Sequence, residues 1–379
     1  MKAPTCKTLR CHATARSLPT WDSTIEAVTH LGFVQADPIR APARAQDLIL
    51  RQRVKDYRAG DLERQYPQLP LWEDMLHVYG FLPQQHVPLL HPRQLSTHWS
   101  EFLAGRAALR KSVLRLVQQL GTARPREVEK ALGGATCESG WGQRTSETRM
   151  MLEALHLTGL LRVARRESGQ RVYACVSTER RLRPQAAWER AEGLCRLLVS
   201  LYAPMPARSL RQVLGAVRGP EEATPKAALE RLRKKGELRC ERIDGEEWIW
   251  PEEETAALLL ADSEEESRVR LLAPFDPVVW DRRRFALLWG WEYRFEAYTP
   301  AAKRQLGYYA LPLLYRAQVI GWANLQVRDG TLAAELGFVG TQPREAAFRR
   351  GLDQELQALQ IFLQSPQENR DIETESGAA

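Results

Sequence analysis

Residues 26–35 read EAVTHLGFVQ, and the same pattern returns as EALHLTGLLR at 153–162 and as ERLRKKGELR at 230–239. Each copy has a glutamate six positions before a glycine, and apolar residues four positions before and two after that glycine. Glycine most easily takes the left-handed conformation that ends a helix. Each copy therefore predicts a helix that stops at the glycine and leads into a strand, and the repetition predicts one structural unit used three times.

The third copy indicates which unit this is. Thr224 can cap a helix that has Pro225 in its first turn, and after Gly236 two short strands flank Asp244-Gly245, a dipeptide typical of hairpin turns. The second copy has a similar turn at 167–169. A helix, a glycine and a hairpin form the back half of a winged helix. Helices are predicted ahead of this half at 107–120 and 125–132 in the second copy and at 188–202 and 207–214 in the third.

The predicted fold class is α+β, with three tandem winged-helix units followed by a small antiparallel β-barrel and a C-terminal helix. The barrel is predicted from strand-like runs at 293–298, 308–315, 318–327 and 332–338, a hairpin turn at 328–330 and a helix at 344–363. Between the first copy and Pro83 we expect short helices. The predicted domains are 1–103, 104–183 and 184–255 for the winged helices, 256–365 for the barrel and helix, and 366–379 for a disordered tail.

Charge and composition favour a soluble protein with a polyanionic partner. The formal net charge is +7 with 44% hydrophobic residues, and arginine suits phosphate oxygens. No apolar run approaches the roughly 20 residues that a membrane-spanning helix needs. The six cysteines include no C-x-x-C pair, so we expect reduced thiols, no metal and no cofactor. We predict a cytoplasmic, nucleoid-associated monomer that does not bind membranes.

The candidate catalytic residues are Gln35, the last residue of the first copy of the repeat, and Asp37, two residues further on. Four residues of strand character follow Gly32, and alternation along a strand places Gln35 and Asp37 on one face. An amide beside a carboxylate can hold a water molecule and a negative charge against a substrate atom; the alternative is an edge strand with a wet face. Glu73 and His77, four residues apart on an expected helix, are candidate supporting residues.

Basic side chains lie where winged helices meet nucleic acid, and a further basic loop spans 299–307. Several such phosphate contacts would give salt-sensitive, largely sequence-independent affinity. The alternatives are an ordinary solvated surface and a polar hairpin loop. The candidates are Arg144, Arg149, Arg165 and Arg166 in the second unit, Lys234 and Lys235 in the third, and Lys303 and Arg304 in the loop, which we expect to be a hairpin tip between two strands.

Several stretches together resemble the winged-helix DNA glycosylases typified by AlkZ and YcaQ, which excise alkylated bases and unhook interstrand crosslinks. The matching stretches are 31–37, 43–45, Glu73 with His77 ahead of 82–83, LLAPFDPVVWDR at 271–282, and 303–313. The family's catalytic motif is Gln, an apolar residue, then Gln or Asp, and Gln35-Ala36-Asp37 looks like the Asp-ended form found in YcaQ. The resemblance also implies a DNA contact for Arg44.

The resemblance implies a monofunctional glycosylase of base excision repair that acts on double-stranded DNA with alkylated bases, of the N7-alkylguanine type, or with crosslinks. A non-catalytic winged-helix transcriptional regulator is the alternative. Against it, the Gln35/Asp37 pair occurs in the first copy only, since the equivalent positions hold Arg162 with Ala164 and Arg239 with Glu241. One specialised copy beside two general ones is typical of a site grafted on a scaffold.

Overall fold

Three glycines adjoin helix ends where the repeat predicts them. Gly32, Gly159 and Gly236 have φ angles of 74°, 73° and 72°, and each lies within two residues of the end of its helix. An L-residue with a side chain rarely adopts this conformation, so the repeat is a structural signal. The structure, a computed structural model, describes residues 3–138, 144–176, 185–217, 223–261 and 268–364.

The α-helices of the described residues are α1 (Cys6–Ser17), α2 (Thr24–Leu31), α3 (Ala45–Leu50), α4 (Asp61–Gln65), α5 (Val87–Leu90), α6 (Thr97–Ala104), α7 (Ala107–Leu120), α8 (Pro125–Leu132), α9 (Glu147–Leu157), α10 (Ala187–Tyr202), α11 (Ala207–Ala216), α12 (Pro225–Lys234), α13 (Thr255–Leu260), α14 (Arg282–Trp289) and α15 (Ala346–Leu363). The strands are β1 (Val34–Gln35), β2 (Leu71–Met75), β3 (Tyr79–Pro83), β4 (Thr136–Glu138), β5 (Arg144–Ser146), β6 (Leu161–Glu167), β7 (Gln170–Cys175), β8 (Met205–Pro206), β9 (Leu238–Ile243), β10 (Glu246–Pro251), β11 (Val269–Leu271), β12 (Leu311–Tyr315), β13 (Gln318–Arg328) and β14 (Thr331–Phe338). The fold is mixed α+β with antiparallel sheets, as predicted.

The chain forms two compact units. The first contains the described residues of Met1–Leu62, Val199–Leu210 and Gly236–Ala379, and the second those of Glu63–Leu198 and Arg211–Lys235. The five domain boundaries predicted from the repeats stay predictions, and the predicted disordered tail at 366–379 lies outside the described residues.

The first unit contains two antiparallel sheets. One has the strand order β8-β10-β9, and the other has the order β11-β12-β13-β14. The β9–β10 pairing runs from Leu238 opposite Pro251 to Ile243 opposite Glu246, and Asp244 and Gly245 both have positive φ. The predicted hairpin is therefore confirmed. Helix α15 packs against β11 and β14, and α1 packs against α13 and α14.

The second unit contains the most regular repeat. Helices α7, α8 and α9 pack on one another, and the hairpin β6–β7 packs on α7 and α9. Helices α7 and α8 have the bounds predicted from the sequence. Their apolar positions, among them Val113, Val117 and Val128, are fully buried. The three helices followed by a hairpin have the element order of the predicted unit.

The first copy of the repeat differs from the others. Helix α2 begins after Ser23, whose side chain accepts a hydrogen bond from the Glu26 N–H in a capping box. The strand after Gly32 is only two residues long, Val34–Gln35, instead of the four expected. Asp37 thus lies beyond the strand, so alternation along a strand does not determine where its side chain points.

The C-terminal predictions are partly wrong. Residues 293–298 are not a strand, since 293–296 have no regular secondary structure and 297–298 form a turn, and helix α14 (Arg282–Trp289) was not predicted. The expected hairpin tip at 299–307 is instead a loop with a 3₁₀ helix, Ala301–Lys303, ahead of β12. The four described strands follow one another in chain order, β11 to β14. This order is that of an open sheet, and closure into a barrel stays a prediction.

The helix expected to carry Glu73 and His77 is also wrong. Residues Leu71–Met75 and Tyr79–Pro83 form an antiparallel hairpin, which places Glu73 on a strand and His77 in the turn. Both Glu73 and Asp74 are buried, at 1% and 0% exposure. Arginines distant in sequence neutralise these carboxylates, and such tertiary partners are not visible in a local pattern.

Candidate active site and nucleic-acid interface

Asp37 is half-buried and keeps one carboxylate oxygen available. Its Oδ1 accepts a hydrogen bond of 2.9 Å from the Ile39 N–H, and its own N–H donates to Gln46 Oε1 at 3.3 Å. In the part of the chain that the structure describes, Oδ2 has no hydrogen-bond partner. Burial raises the pKa of Asp37, while the Ile39 N–H partly opposes the shift. Asp37 is therefore a stronger base than an exposed aspartate.

Gln35 lies two residues before Asp37, and its side-chain amide oxygen is unusual. Gln35 Oε1 is buried without a hydrogen-bond partner among the described residues. Buried amide oxygens are almost always hydrogen-bonded in folded proteins. Two oxygens within three residues of chain, Gln35 Oε1 and Asp37 Oδ2, are thus ready to accept hydrogen bonds. Such acceptors suit a water molecule that is losing a proton.

Tyr309, which sequence reasoning did not single out, has a buried hydroxyl that is influenced by the charge of Asp37. It lies in the same unit as Asp37, and its hydroxyl is a second buried polar atom without a partner among the described residues. Burial raises the pKa of Tyr309 well above its ordinary value, and the charge of Asp37 raises it further. The sequence had drawn attention to Gly307-Tyr308-Tyr309 only as part of a family motif.

The basic loop 299–307 is held in one shape by a buried carboxylate. Glu296 Oε2 accepts hydrogen bonds from the N–H groups of residues 305, 306 and 307 at 2.9, 2.7 and 3.2 Å. Arg304 Nε donates to the Thr299 carbonyl at 2.8 Å, and its guanidinium lies 5.0 Å from the centre of the Tyr308 ring. The Lys303 side chain is exposed and makes no hydrogen bond or ion pair with other described residues, while its backbone N–H donates to the Pro300 carbonyl.

A cavity of about 920 Å³ adjoins this loop. Its lining combines cations, two carboxylates and aromatic rings, namely Arg282, Arg283, Arg294, Lys303, Glu292, Glu296, Tyr293 and Phe295. Positive side chains beside aromatic rings are a suitable surface for a nucleic acid strand, because phosphates and bases are both accommodated.

The predicted basic residues of the second unit differ in how they are engaged. Arg166 Nε lies 3.1 and 3.0 Å from the two carboxylate oxygens of Glu73, so Arg166 neutralises a buried charge. Burial opposes ionisation of Glu73, but the hydrogen bonds and charge of Arg166 and the charge of Arg171 outweigh it and lower the Glu73 pKa.

The remaining basic candidates come from all three predicted winged-helix units. Arg149 Nε pairs with Glu129 at 3.0 Å, and Arg165 Nε pairs with Glu167 at 2.8 Å. Arg144 Nη2 donates to Thr136 Oγ1 at 2.8 Å from strand β5. Lys235 Nζ is held by Glu192 at 2.7 Å. Lys234 is exposed at the end of α12, and half-buried Arg44 precedes α3.

His77 does not supply the positive charge that balances Glu73. Burial lowers the pKa of His77 to about 3, so its imidazole is neutral near pH 7. The Glu73 carboxylate is bound by Arg166 instead. The supporting role predicted for the two residues stays a prediction.

Two further properties bear on the site. Among the described residues, no group of three His, Cys, Asp or Glu side chains is placed to hold a metal ion. The same residues include no helix with the length and apolar character needed to cross a membrane.

Comparison with known proteins places the chain among DNA glycosylases. The family model described as DNA glycosylase AlkZ-like matches residues 28–362, a range that includes Gln35, Asp37 and Tyr309. Among solved structures, the chain is similar to the DNA glycosylase AlkZ of Streptomyces sahachiroi, with a TM-score of 0.63 and 15% identity. The match covers 96% of this chain and 97% of that chain. At such low identity the structural match shows a shared fold.

Proposed function

The chain belongs to the AlkZ-like DNA glycosylase family, and on that premise we propose that it is a monofunctional glycosylase that hydrolyses the N-glycosidic bond of N7-alkylguanine in duplex DNA. Family membership supports a DNA repair glycosylase; the lesion and the residue roles are our inference. One observation supports them most. Asp37, half-buried with a raised pKa and an available oxygen, follows Gln35, whose buried Oε1 lacks a partner among the described residues.

The chemistry of the lesion explains why this pair would be sufficient. Alkylation at N7 makes guanine a cation, so the base leaves as a neutral molecule and needs no strong general acid. The remaining barrier is the oxocarbenium-like sugar and the delivery of water to C1′. Water oxygen bonds to C1′ while the C1′–N9 bond breaks, and the electron pair of that bond goes to the base.

In the proposed mechanism, Asp37 takes the proton that the attacking water loses and stabilises the developing positive charge on the sugar. Gln35 Oε1 accepts a hydrogen bond from the other O–H of the water and so orients it. We assign Gln35-Ala36-Asp37 to the Asp-ended form of the family motif. The low dielectric of a protein–DNA interface strengthens the attraction between Asp37 and the sugar cation.

The half-exposed position of Asp37 also supports activity on crosslinked DNA. Most glycosylases extrude their target base into a tight pocket, but a crosslinked base is tethered to the opposite strand. A carboxylate that remains partly open to solvent is compatible with a lesion that stays in the duplex. We therefore propose interstrand crosslinks through N7 of guanine as a second substrate.

We further propose that three winged-helix units and the basic loop 299–307 bind the duplex. Lys234 and Lys303 are exposed amines with no acidic partner among the described residues, so they are available to phosphate oxygens. Arg149, Arg165 and Lys235 must exchange an ion pair for a phosphate contact. Such contacts give affinity without sequence preference, which is what repair of scattered lesions requires.

The test is base release from duplexes that carry one N7-methylguanine in several sequence contexts, with alkali to reveal abasic sites. We expect release in every context and none from matched undamaged duplexes. A crosslinked duplex reports unhooking as strand separation on a denaturing gel. Binding to one preferred undamaged sequence without any base release would instead identify a transcriptional regulator.

A further inference from the structure

Tyr309 precedes strand β12 and has a buried hydroxyl that the fold itself does not use. The residue is 3% exposed, and its hydroxyl has no hydrogen-bond partner among the described residues. Buried hydroxyls normally have a partner, and phenylalanine would fill the same space without the cost of an unmade hydrogen bond. A tyrosine with such a hydroxyl therefore indicates a use other than folding.

Aromatic packing fixes the ring of Tyr309. The Phe295 ring meets it edge-on at a centroid distance of 5.3 Å. Phe295 is itself held by Phe275 at 4.9 Å and by Tyr298 at 6.1 Å. A ring packed in this way has little rotational freedom, so its hydroxyl keeps one position. That position is preorganised before any ligand arrives.

The hydroxyl lies within the electrostatic reach of Asp37 but does not bond to it. Burial, then the charge of Asp37, raises the pKa of Tyr309, with Tyr293 and Tyr298 acting in the same direction and Arg282 opposing them. The hydroxyl thus stays protonated and remains a donor at neutral pH. Polar groups that interact without a direct hydrogen bond are commonly bridged by water.

The three atoms without partners complement one another chemically. Gln35 Oε1 and Asp37 Oδ2 are acceptors, whereas the Tyr309 hydroxyl is a donor. A water molecule has two hydrogens and two lone pairs, and a bound water needs two to four polar partners. Two acceptors and one donor satisfy both hydrogens and one lone pair, which leaves the second lone pair for attack.

We propose that Tyr309 is a third residue of the hydrolytic site, where its hydroxyl donates a hydrogen bond to the attacking water while Asp37 and Gln35 accept hydrogen bonds from the water. The inference rests on the proposed function. The free lone pair bonds to C1′, the C1′–N9 electron pair leaves with the base, and the water proton passes to Asp37. Tyr309 orients the water and undergoes no net proton transfer.

The experiment compares the full-length protein with Tyr309→Phe in single-turnover release of 7-methylguanine from duplex DNA at saturating protein. We expect a rate lower by roughly 10- to 100-fold, in line with the loss of one hydrogen bond to a group that gains charge in the reaction. Duplex affinity should be unchanged, and the melting temperature should be unchanged or higher because an unmade hydrogen bond is removed.

Tyr57→Phe is the matched control. The Tyr57 hydroxyl is buried too, but it donates to Asp47 Oδ1 at 2.8 Å and accepts from the Leu62 N–H at 3.0 Å. This variant should melt at a lower temperature and release the base at the wild-type rate where it is folded. The opposite behaviour of the two variants separates a role in hydrolysis from a role in folding.

A double variant tests whether Tyr309 and Asp37 act on the same water. If they do, adding Tyr309→Phe to Asp37→Asn should cost little beyond the single Asp37→Asn loss, because residues that act as a unit are not additive. If the rate losses of the two single variants multiply in the double variant, or if Tyr309→Phe releases the base at the wild-type rate, the assignment of Tyr309 is overturned. The proposed function stays intact in both cases as long as the wild-type protein is active. No release by the wild-type protein would overturn both.

Discussion

At the residue scale, the proposed site depends on Asp37 and the few groups around it. The sequence was sufficient to propose Gln35 and Asp37, because Gln35 ends the first copy of the repeat, Asp37 lies two residues further on, and the other copies lack this pair. It could not single out Tyr309. The property that matters there, a buried hydroxyl near a carboxylate 272 positions away in the chain, exists only after folding. The strand that the sequence predicts as the support of Asp37 is also longer than the two-residue strand found in the structure.

The raised pKa of Asp37 predicts a pH dependence of catalysis. Only the carboxylate accepts a proton, so the excision rate should rise with pH through the pKa of Asp37 and then reach a plateau. Because burial raises this pKa, the midpoint should lie above about 3.9, the ordinary value for aspartate. The measurement is single-turnover release between pH 3 and 8, corrected for spontaneous depurination. A midpoint at or below the ordinary value would contradict the proposed environment.

At the element scale, the periodic helices and the turn dipeptides were predictable. Helices α7 and α8 and the hairpins at Asp244-Gly245 and Asp329-Gly330 are found as predicted, because their signals are local. The hairpin β2–β3 was not predictable. Its acidic residues, Glu73 and Asp74, are placed in a buried strand by partners far along the chain, which a helix-like local pattern conceals.

The Glu73–Arg166 pair gives a prediction about stability. Arg166→Met should lower the free energy of unfolding by about 3–5 kcal/mol, because the Glu73 carboxylate would remain buried with fewer positively charged partners. Arg165→Met is the control, since its pair with Glu167 is substantially exposed and such pairs contribute only about 0–1 kcal/mol. Chemical denaturation measures both. Equal small losses would show that Arg166 does not stabilise the hairpin.

At the scale of the whole molecule, a buried ion pair links the stretch 271–282 to the N-terminal part of the same unit. Arg53 Nη1 and Nη2 contact the Asp276 carboxylate at 2.7 and 2.9 Å, and both side chains are fully buried. Arg53 Nε also donates to the Ser17 carbonyl at 2.7 Å. Asp276 therefore joins the N-terminal helices to the C-terminal part of the same unit. Its role is structural, which a sequence motif alone does not reveal.

Asp276→Asn should consequently destabilise the first unit without changing the chemistry. Removing one charge of a buried pair typically costs about 3–5 kcal/mol, whereas Asp353→Asn on the exposed side of α15 should change stability by less than about 0.5 kcal/mol. Thermal unfolding monitors both variants. Base release by the folded fraction of Asp276→Asn should equal that of the wild type, and a specific catalytic loss would give Asp276 a different role.

The most direct test of the central claim is the rate at which Asp37→Asn releases 7-methylguanine from duplex DNA, compared with the wild type and with Asp22→Asn, an exposed control. Loss of a positioned base and charge predicts a rate lower by roughly 10²-fold or more, with unchanged duplex affinity and wild-type release by the control. Near wild-type release by Asp37→Asn would remove Asp37 from the mechanism.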